Sequence, residues 1–206
     1  MLRTWCSLIE DILRDRDILH EDRDAGIIHV YIGAESAEED VLTLLHKGTT
    51  VNQNKSAIDL LRDIGIVTEA SFMIGFPQET WDAIEKTIDS AIYVNPDVAV
   101  FPVVTPMPFT PIFAEMKSRI RVWDYSKYNL VTPIIEPDNM TMQEVTQALG
   151  QCYMKFYRAK MQEVFGLPDG FKKRYMMSAL RLMMTAHGAN FDFAGAGMSM
   201  PHPMPL

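Results

Sequence analysis

The sequence contains little cysteine, and the two thiols that it has lie far apart. Cys6 and Cys152 are the only cysteines among the 206 residues, so no closely spaced pair or triplet is present. Structural and catalytic metal centres in proteins usually show such spacing. We interpret both residues as free thiols and predict no metal ligand in this chain.

The sequence also lacks long apolar runs and an excess of positive charge. No run reaches the roughly 18 apolar residues of a membrane-spanning helix, and the first residues do not resemble a signal peptide. The formal net charge is −8, which repels nucleic-acid phosphates. We therefore expect a cytoplasmic protein with no transmembrane segment and no nucleic-acid partner.

What the sequence does contain is a repeated strand-then-helix pattern. Apolar and β-branched residues predict three strands, at residues 27–32, 69–74 and 97–104. Apolar side chains at helical spacing predict helices between them, over residues 57–64 and 80–95. Buried strands that alternate with helices are typical of a parallel sheet built from βαβ units. The predicted fold class is therefore α/β.

The two ends of the chain differ from this pattern. Residues 1–26 show one amphipathic helix and a charged loop but no strand signal. Beyond residue 118 the sequence predicts a mostly helical extension, in which Thr141 and Glu144 form a capping box at the start of a long helix. We predict two parts, residues 1–118 and 119–206. Because three parallel strands do not complete a sheet, we expect N-terminal strands to be missing.

Short polar or glycine-containing motifs follow the predicted strands, where parallel sheets bind ligands. Glu35 and Ser36 carry groups that pair with ribose hydroxyls or an amino group, and Lys47 suits a carboxylate. Gly75 allows close approach of the backbone to a flat ligand. The proline-rich residues 105–111 form a rigid loop. Taken singly, each motif also fits a helix cap, a solvated loop or a plain connector.

In this order and spacing, the motifs resemble the later strands of the partial (β/α)6 barrel in the radical S-adenosylmethionine (radical SAM) superfamily. The resemblance covers roughly residues 27–115 and implies the C-terminal half of a TIM-like barrel. It also implies that S-adenosylmethionine contacts Glu35, Ser36, Lys47, Ser71, Met73, Gly75 and Val104. The CxxxCxxC loop that holds the 4Fe–4S cluster of the family is absent. We therefore expect a fragment that is inactive alone, with the cluster held by the missing N-terminal half of the barrel.

A narrower resemblance lies in residues 119–133 and the basic run at 172–177. These segments are similar to cobalamin-binding radical SAM enzymes that act on magnesium porphyrins in (bacterio)chlorophyll biosynthesis. The resemblance implies an oxidoreductase that closes the isocyclic ring of a tetrapyrrole, with cobalamin bound outside this chain. Arg121 and Lys127 are candidates to bind a propionate of the substrate, although a solvated charge is the commoner role for each.

Two other functions fit the sequence, and no catalytic residue is assigned. A different cobalamin-dependent radical SAM enzyme, such as a methyltransferase on a lipid or natural product, also needs an apolar extension beside the barrel. A non-catalytic half-barrel that binds a ligand would also lack the cluster cysteines.

Overall fold

The computed structural model describes the backbone of residues 3–36 and 49–186. The chain forms two compact units, which divide between Lys160 and Met161. The predicted boundary at residue 118 concerns the extent of the barrel and stays a prediction. Within the described ranges, no helix is both long enough and apolar enough to cross a membrane.

Four strands and seven α-helices make up the described chain. In order they are β1 (Arg3–Cys6), α1 (Ile9–Arg14), α2 (Leu19–Asp24), β2 (Ile27–Glu35), α3 (Val51–Asp63), β3 (Val67–Phe72), α4 (Trp81–Val94), β4 (Val98–Val100), α5 (Pro111–Met116), α6 (Met142–Gly166) and α7 (Phe171–Ala186). Short 3-10 helices cover Lys117–Arg119 and Tyr125–Lys127. Helix α7 belongs to the second unit.

The strands form one fully parallel sheet in the order β1-β2-β3-β4. This arrangement confirms the α/β class, but it contains one strand more than predicted. The expectation of no strand in residues 1–26 is wrong, because Arg3–Cys6 pairs with β2 and places Cys6 opposite Tyr31. The strand is only four residues long, and its Trp5 is exposed, so no apolar pattern marks it in the sequence.

Local capping interactions set the ends of the helices. Thr80 accepts a hydrogen bond from the Ala83 amide at the start of α4, and Asn95 ends that helix in a left-handed conformation. At the start of α6, the Thr141 and Glu144 side chains each accept a hydrogen bond from the other residue's backbone amide. The predicted helix starts at Thr80 and Thr141 and the predicted end at Asn95 are therefore confirmed. The predicted start at residue 57 is wrong, because a capping box formed by Thr50 and Gln53 starts α3 at Val51.

The main core of the first unit lies between one face of the sheet and the helices. It is built from fully buried side chains of β2, α3, β3, α4 and α6, together with the residue after β4: Ile32, Ile58, Phe72, Ile84, Phe156 and Phe101. Successive side chains along a strand point to opposite faces of the sheet. The alternate residues of each strand therefore lie on the face away from this core.

The outer edge of β4 is covered by side chains of α6. The Tyr157 hydroxyl accepts a hydrogen bond from the Ala99 amide (3.1 Å) and donates one to the Ala99 carbonyl oxygen (2.8 Å). The Tyr153 hydroxyl accepts from the Phe101 amide at 3.3 Å. These bonds satisfy backbone groups that an edge strand leaves unpaired, so β4 needs no neighbouring strand here.

Candidate functional site

The carboxyl ends of β2, β3 and β4 meet at one edge of the sheet. Glu35 ends β2 with a positive φ of 61°, at a point where the register between β2 and β3 slips. Its carbonyl oxygen accepts a hydrogen bond from the Met73 amide at 2.7 Å. The Val104 amide donates to the Ile74 carbonyl oxygen at 2.8 Å, which continues the pairing beyond β4. Backbone bonds therefore connect all three strand ends.

Gly75 lies at the centre of this edge with a φ of +83°. A Cβ atom there would lie 3.1 Å from Val103 Cγ1 and 3.4 Å from Val145 Cγ1. Both the left-handed backbone and the close packing therefore require glycine. The groups that crowd this position in the structure are protein side chains, and the close approach of a flat ligand expected from the sequence stays a prediction.

A buried carboxylate holds the Gly75 turn. Glu79 Oε2 accepts hydrogen bonds from the amides of Gly75 (2.8 Å) and Phe76 (3.4 Å). The residue is only 6% exposed. The sequence analysis assigned Glu79 no such role. Its position directly before the Thr80 helix cap and four residues after the glycine was the signal that could have identified it.

Buried polar atoms lie beside the end of β2. The Asn54 side-chain amide donates to the Ala34 carbonyl oxygen at 3.3 Å. Asn54 Oδ1 and Thr49 Oγ1 are buried and have no hydrogen-bond partner among the described residues. Ser36, which follows β2, is also buried. A ligand that carries hydroxyl, amino and carboxylate groups, such as S-adenosylmethionine, suits these atoms because buried polar groups require partners.

A row of polar side chains covers the sheet face opposite the main core. His29 Nε2 lies 2.9 Å from Glu69 Oε2 across β2 and β3. Tyr31 is hydrogen-bonded to Ser71, and burial raises the pKa of its hydroxyl above the usual value. Of these four residues, only Ser71 was predicted from the sequence as a site residue. The alternation of polar and apolar residues along β2 and β3 was the signal for the other three.

A second hydrophobic cluster covers the ends of β3 and β4. It joins residues at the strand ends to residues 111–140, which we call the strap: Phe76, Val104, Met116, Ile120, Ile134 and Ile135. Two backbone bonds fix the strap, from the Val103 amide to the Leu130 carbonyl oxygen and from the Asp138 amide to the Pro77 carbonyl oxygen. The strap thus lies beside the candidate site.

The structure gathers six of the seven predicted cofactor residues at the strand ends. These are Glu35, Ser36, Ser71, Met73, Gly75 and Val104. Lys47 lies outside the described residues. The predicted substrate residues are on the strap instead. Arg121 pairs with Glu136 through Nε at 3.1 Å, and Lys127 is exposed at the end of a 3-10 helix.

The cysteines do not fit an iron–sulfur cluster. A 4Fe–4S cluster of this superfamily takes three thiolates from one loop, whereas Cys6 is exposed on β1 and Cys152 is buried in α6. The described residues contain no group of three His, Cys, Asp or Glu side chains that would hold a metal ion. The residues present therefore fit an organic ligand at the strand ends and do not fit the cluster.

Comparison with known proteins identifies the class to which this fold and site belong. Residues 4–91 match the sequence model of the Radical SAM superfamily. Among solved structures, coproporphyrinogen III oxidase from Escherichia coli aligns with a TM-score of 0.54 at 17% identity, over 76% of this chain and 32% of that one. The cobalamin-dependent radical enzyme OxsB aligns with a TM-score of 0.51 at 13% identity, over 90% and 34%. Residues 4–91 therefore belong to a radical SAM domain, and these structural likenesses confirm its fold.

The chain is also similar in sequence to several curated proteins. The chain is 39% identical over 181 residues to the anaerobic magnesium-protoporphyrin IX monomethyl ester cyclase of Cereibacter sphaeroides, which is 86% of this chain and 29% of the relative. It is 40% identical over 178 residues to the cyclase of Rubrivivax gelatinosus, an alignment that covers 85% of this chain and 32% of that relative. A bacteriochlorophyllide d C-12(1)-methyltransferase of Chlorobaculum tepidum is 29% identical over 140 residues, which cover 66% of this chain and 31% of that relative. The chain thus spans about a third of the length of these relatives.

Proposed function

We propose that this chain forms the C-terminal part of a radical SAM, cobalamin-dependent oxidative cyclase. Its substrate would be magnesium-protoporphyrin IX monomethyl ester, in which the enzyme closes the isocyclic ring of (bacterio)chlorophyll. The extent of the similarity carries this proposal. The superfamily match ends at residue 91, whereas the similarity to the two cyclases covers 85–86% of the chain and so includes the strap.

In this proposal the strand ends bind S-adenosylmethionine. Bound there, the cofactor would supply hydrogen-abstraction chemistry, and the residues of this chain would bind and orient it. The Gly75 turn, held by Glu79, brings backbone close to the flat part of the cofactor. By the resemblance, Glu35 and Ser36 would lie near the ribose and the methionine part of the cofactor, and Lys47 near its carboxylate. Ser71 and Met73 would approach the ribose and adenine, and the backbone of Val104 would lie near the adenine.

Other components would come from outside this chain. The N-terminal half of the barrel would hold the 4Fe–4S cluster, because the two cysteines here do not fit a cluster. Cobalamin would be bound elsewhere outside this chain. On the strap, Arg121 and Lys127 would meet the charged edge of the tetrapyrrole. Arg121 would exchange its ion pair with Glu136 for a substrate carboxylate. We further propose that the protein is cytoplasmic and does not bind nucleic acid, consistent with its net charge of −8.

A chimera tests the proposed function. The N-terminal two-thirds of the Cereibacter sphaeroides cyclase is joined to this chain and expressed anaerobically in a strain that lacks its own cyclase. We expect magnesium-protoporphyrin IX monomethyl ester to be converted to the ring-closed pigment, as measured by absorbance and mass. Accumulation of unreacted ester, with a soluble chimera present, would contradict the proposal.

Two glycine substitutions provide matched variants of this chimera. Gly75→Val places a branched side chain at a positive φ and against Val103, so we expect turnover to be lost. Gly150→Ala adds a methyl group in α6 where nothing lies within 4 Å, so we expect turnover to be retained. Equal activity of the two variants would show that the Gly75 turn is not part of the cofactor site.

The similarity to the bacteriochlorophyllide methyltransferase favours a second candidate function, methyl transfer to a tetrapyrrole. The same chimera distinguishes the two, because methylation adds the mass of one methylene group to the pigment and does not close a ring. A methylated product would replace the cyclase assignment and leave the placement of the cofactor unchanged.

A further inference from the structure

Phe109 combines an unfavourable backbone with a fully exposed side chain. Its φ is +69°, and within the part of the chain that the structure describes its side chain is fully exposed to solvent. The Thr110 amide donates to the Met107 carbonyl oxygen at 3.3 Å, which closes a four-residue turn. Proline is its second residue and Phe109 its third, as in a type II turn, where glycine or asparagine is the usual third residue.

This conformation brings no stability to the chain by itself. A left-handed backbone is costly for a bulky residue, and an exposed aromatic ring gains no burial. Glycine at the same position would relieve the backbone and expose less apolar surface. Residues held in this way concentrate where a protein contacts a ligand.

The loop is rigid and begins at the candidate site. Val104, directly before it, is hydrogen-bonded to Ile74, next to Gly75. The Thr105 hydroxyl donates to the Val103 carbonyl oxygen, and the Thr110 hydroxyl donates to that of Met107 at 2.6 Å. These bonds and the flanking prolines fix the turn, so Phe109 is presented at a set position.

Further aromatic and apolar side chains lie along the same part of the chain. Met107 in the loop is partly exposed, and the Phe113 ring of α5 contacts the edge of Trp123, itself half exposed. With Phe109, these side chains all belong to the segment 107–123, which follows the end of β4. Exposed aromatic side chains suit a large, flat, apolar ligand more than a small polar one.

We propose that Phe109 is a substrate-contact residue whose ring packs on the face of a porphyrin-type macrocycle. This inference rests on the proposed function, since the named substrates of the cyclase and methyltransferase relatives are tetrapyrroles. It adds a contact that the assignment of Arg121 and Lys127 does not include. The two charges would hold the edge of the macrocycle, and the Phe109 turn would hold its plane.

Binding to the 206-residue chain tests the inference. Magnesium-protoporphyrin IX monomethyl ester is titrated into the unmutated protein and into Phe109→Asn, Phe109→Tyr and Phe165→Ala, and porphyrin fluorescence gives the dissociation constant. Asparagine tolerates the left-handed backbone but has no ring, so we expect about tenfold weaker binding. Tyrosine keeps the ring, and Phe165 is an exposed phenylalanine at the end of α6, so both should stay within about twofold of the unmutated value.

Thermal unfolding separates a ligand contact from a structural role. Because Phe109 is strained and unburied, Phe109→Asn should leave Tm unchanged or raise it while binding weakens. A fall in Tm together with the loss of binding would overturn the inference, as would unchanged porphyrin binding in Phe109→Asn. An equal loss of binding by the apolar dye ANS would also overturn it, since that would indicate a general apolar patch.

Two further outcomes would also contradict the inference. No porphyrin binding by the unmutated chain overturns the inference, whereas the chimera assay tests the cyclase function independently. If Phe109→Asn instead abolishes self-association in sedimentation and leaves porphyrin affinity intact, the loop contacts a second copy of the chain and the inference is wrong.

Discussion

Replacing Glu79 with alanine should destabilise the turn on which the candidate site depends. The Glu79 carboxylate is buried and accepts hydrogen bonds from two amides that are themselves buried, those of Gly75 and Phe76. Alanine removes the acceptor and leaves both donors without it.

The distances set the size of the effect. A buried donor without a partner costs about 1–3 kcal/mol. The bond to Gly75 at 2.8 Å is strong, whereas that to Phe76 at 3.4 Å is weak, so we expect a loss of about 2–4 kcal/mol. For a chain of this size that lowers Tm by roughly 5–15 °C. Glu79→Gln retains an acceptor oxygen and should cost about 1 kcal/mol.

Thermal unfolding followed by circular dichroism, with hydrogen exchange at the Gly75 amide, measures both consequences. Exchange should accelerate in Glu79→Ala and much less in Glu79→Gln. Glu115→Ala is the matched control, because Glu115 is exposed on α5 and should change stability by no more than about 0.5 kcal/mol. If Glu79→Ala unfolds at the same temperature as Glu115→Ala and Gly75 exchange is unchanged, the carboxylate does not hold the turn.

Four other predictions concern the sheet edge and the cysteines. Tyr157→Phe removes the hydroxyl that is hydrogen-bonded to both backbone groups of Ala99. The free energy of unfolding, measured by chemical denaturation, should fall by about 1–3 kcal/mol. Tyr93→Phe, at an exposed hydroxyl, is the control, and equal effects of the two variants would refute the role of Tyr157 in covering the β4 edge. Burial raises the pKa of the Cys152 thiol to about 12 from an ordinary value of 9.0, so the unfolded chain loses this proton first. Stability should therefore be unaffected by this group below pH 9 and fall as the pH rises towards 12. A thiol reagent at pH 8 should accordingly modify Cys6 alone until denaturant is added, and rapid native modification of Cys152 would contradict its burial. Anaerobic reconstitution of the chain with iron and sulfide should give no 4Fe–4S cluster, and a stoichiometric brown cluster by absorbance would disprove this.

The sequence alone determined the α/β class and most of the helices. The caps at Thr80, Asn95 and Thr141 were predictable because capping depends on side chains within a few residues of each other. Strands β2, β3 and β4 were predictable from their apolar and β-branched residues, which strands favour. The family followed from four motifs whose order and spacing are a property of the chain and require no coordinates.

Other features were decided by tertiary contacts. Strand β1 exists because Arg3–Cys6 pairs with β2, although those four residues show no strand pattern. The covering of the β4 edge joins Tyr157 to Ala99 across 58 positions of sequence, and no local rule connects two such residues.

In the candidate site, too, some features were predictable from the sequence and others depend on tertiary contacts. Gly75 and Glu35 are visible in the sequence as a glycine and a carboxylate after strands. The role of Glu79 depends on how its side chain turns back to the Gly75 amide, and the strain at Phe109 depends on the closure of its turn. Sequence patterns report which groups are present and their local conformational preferences. Hydrogen-bond geometry, burial and strain arise only when distant segments pack together, so the structure alone determines them.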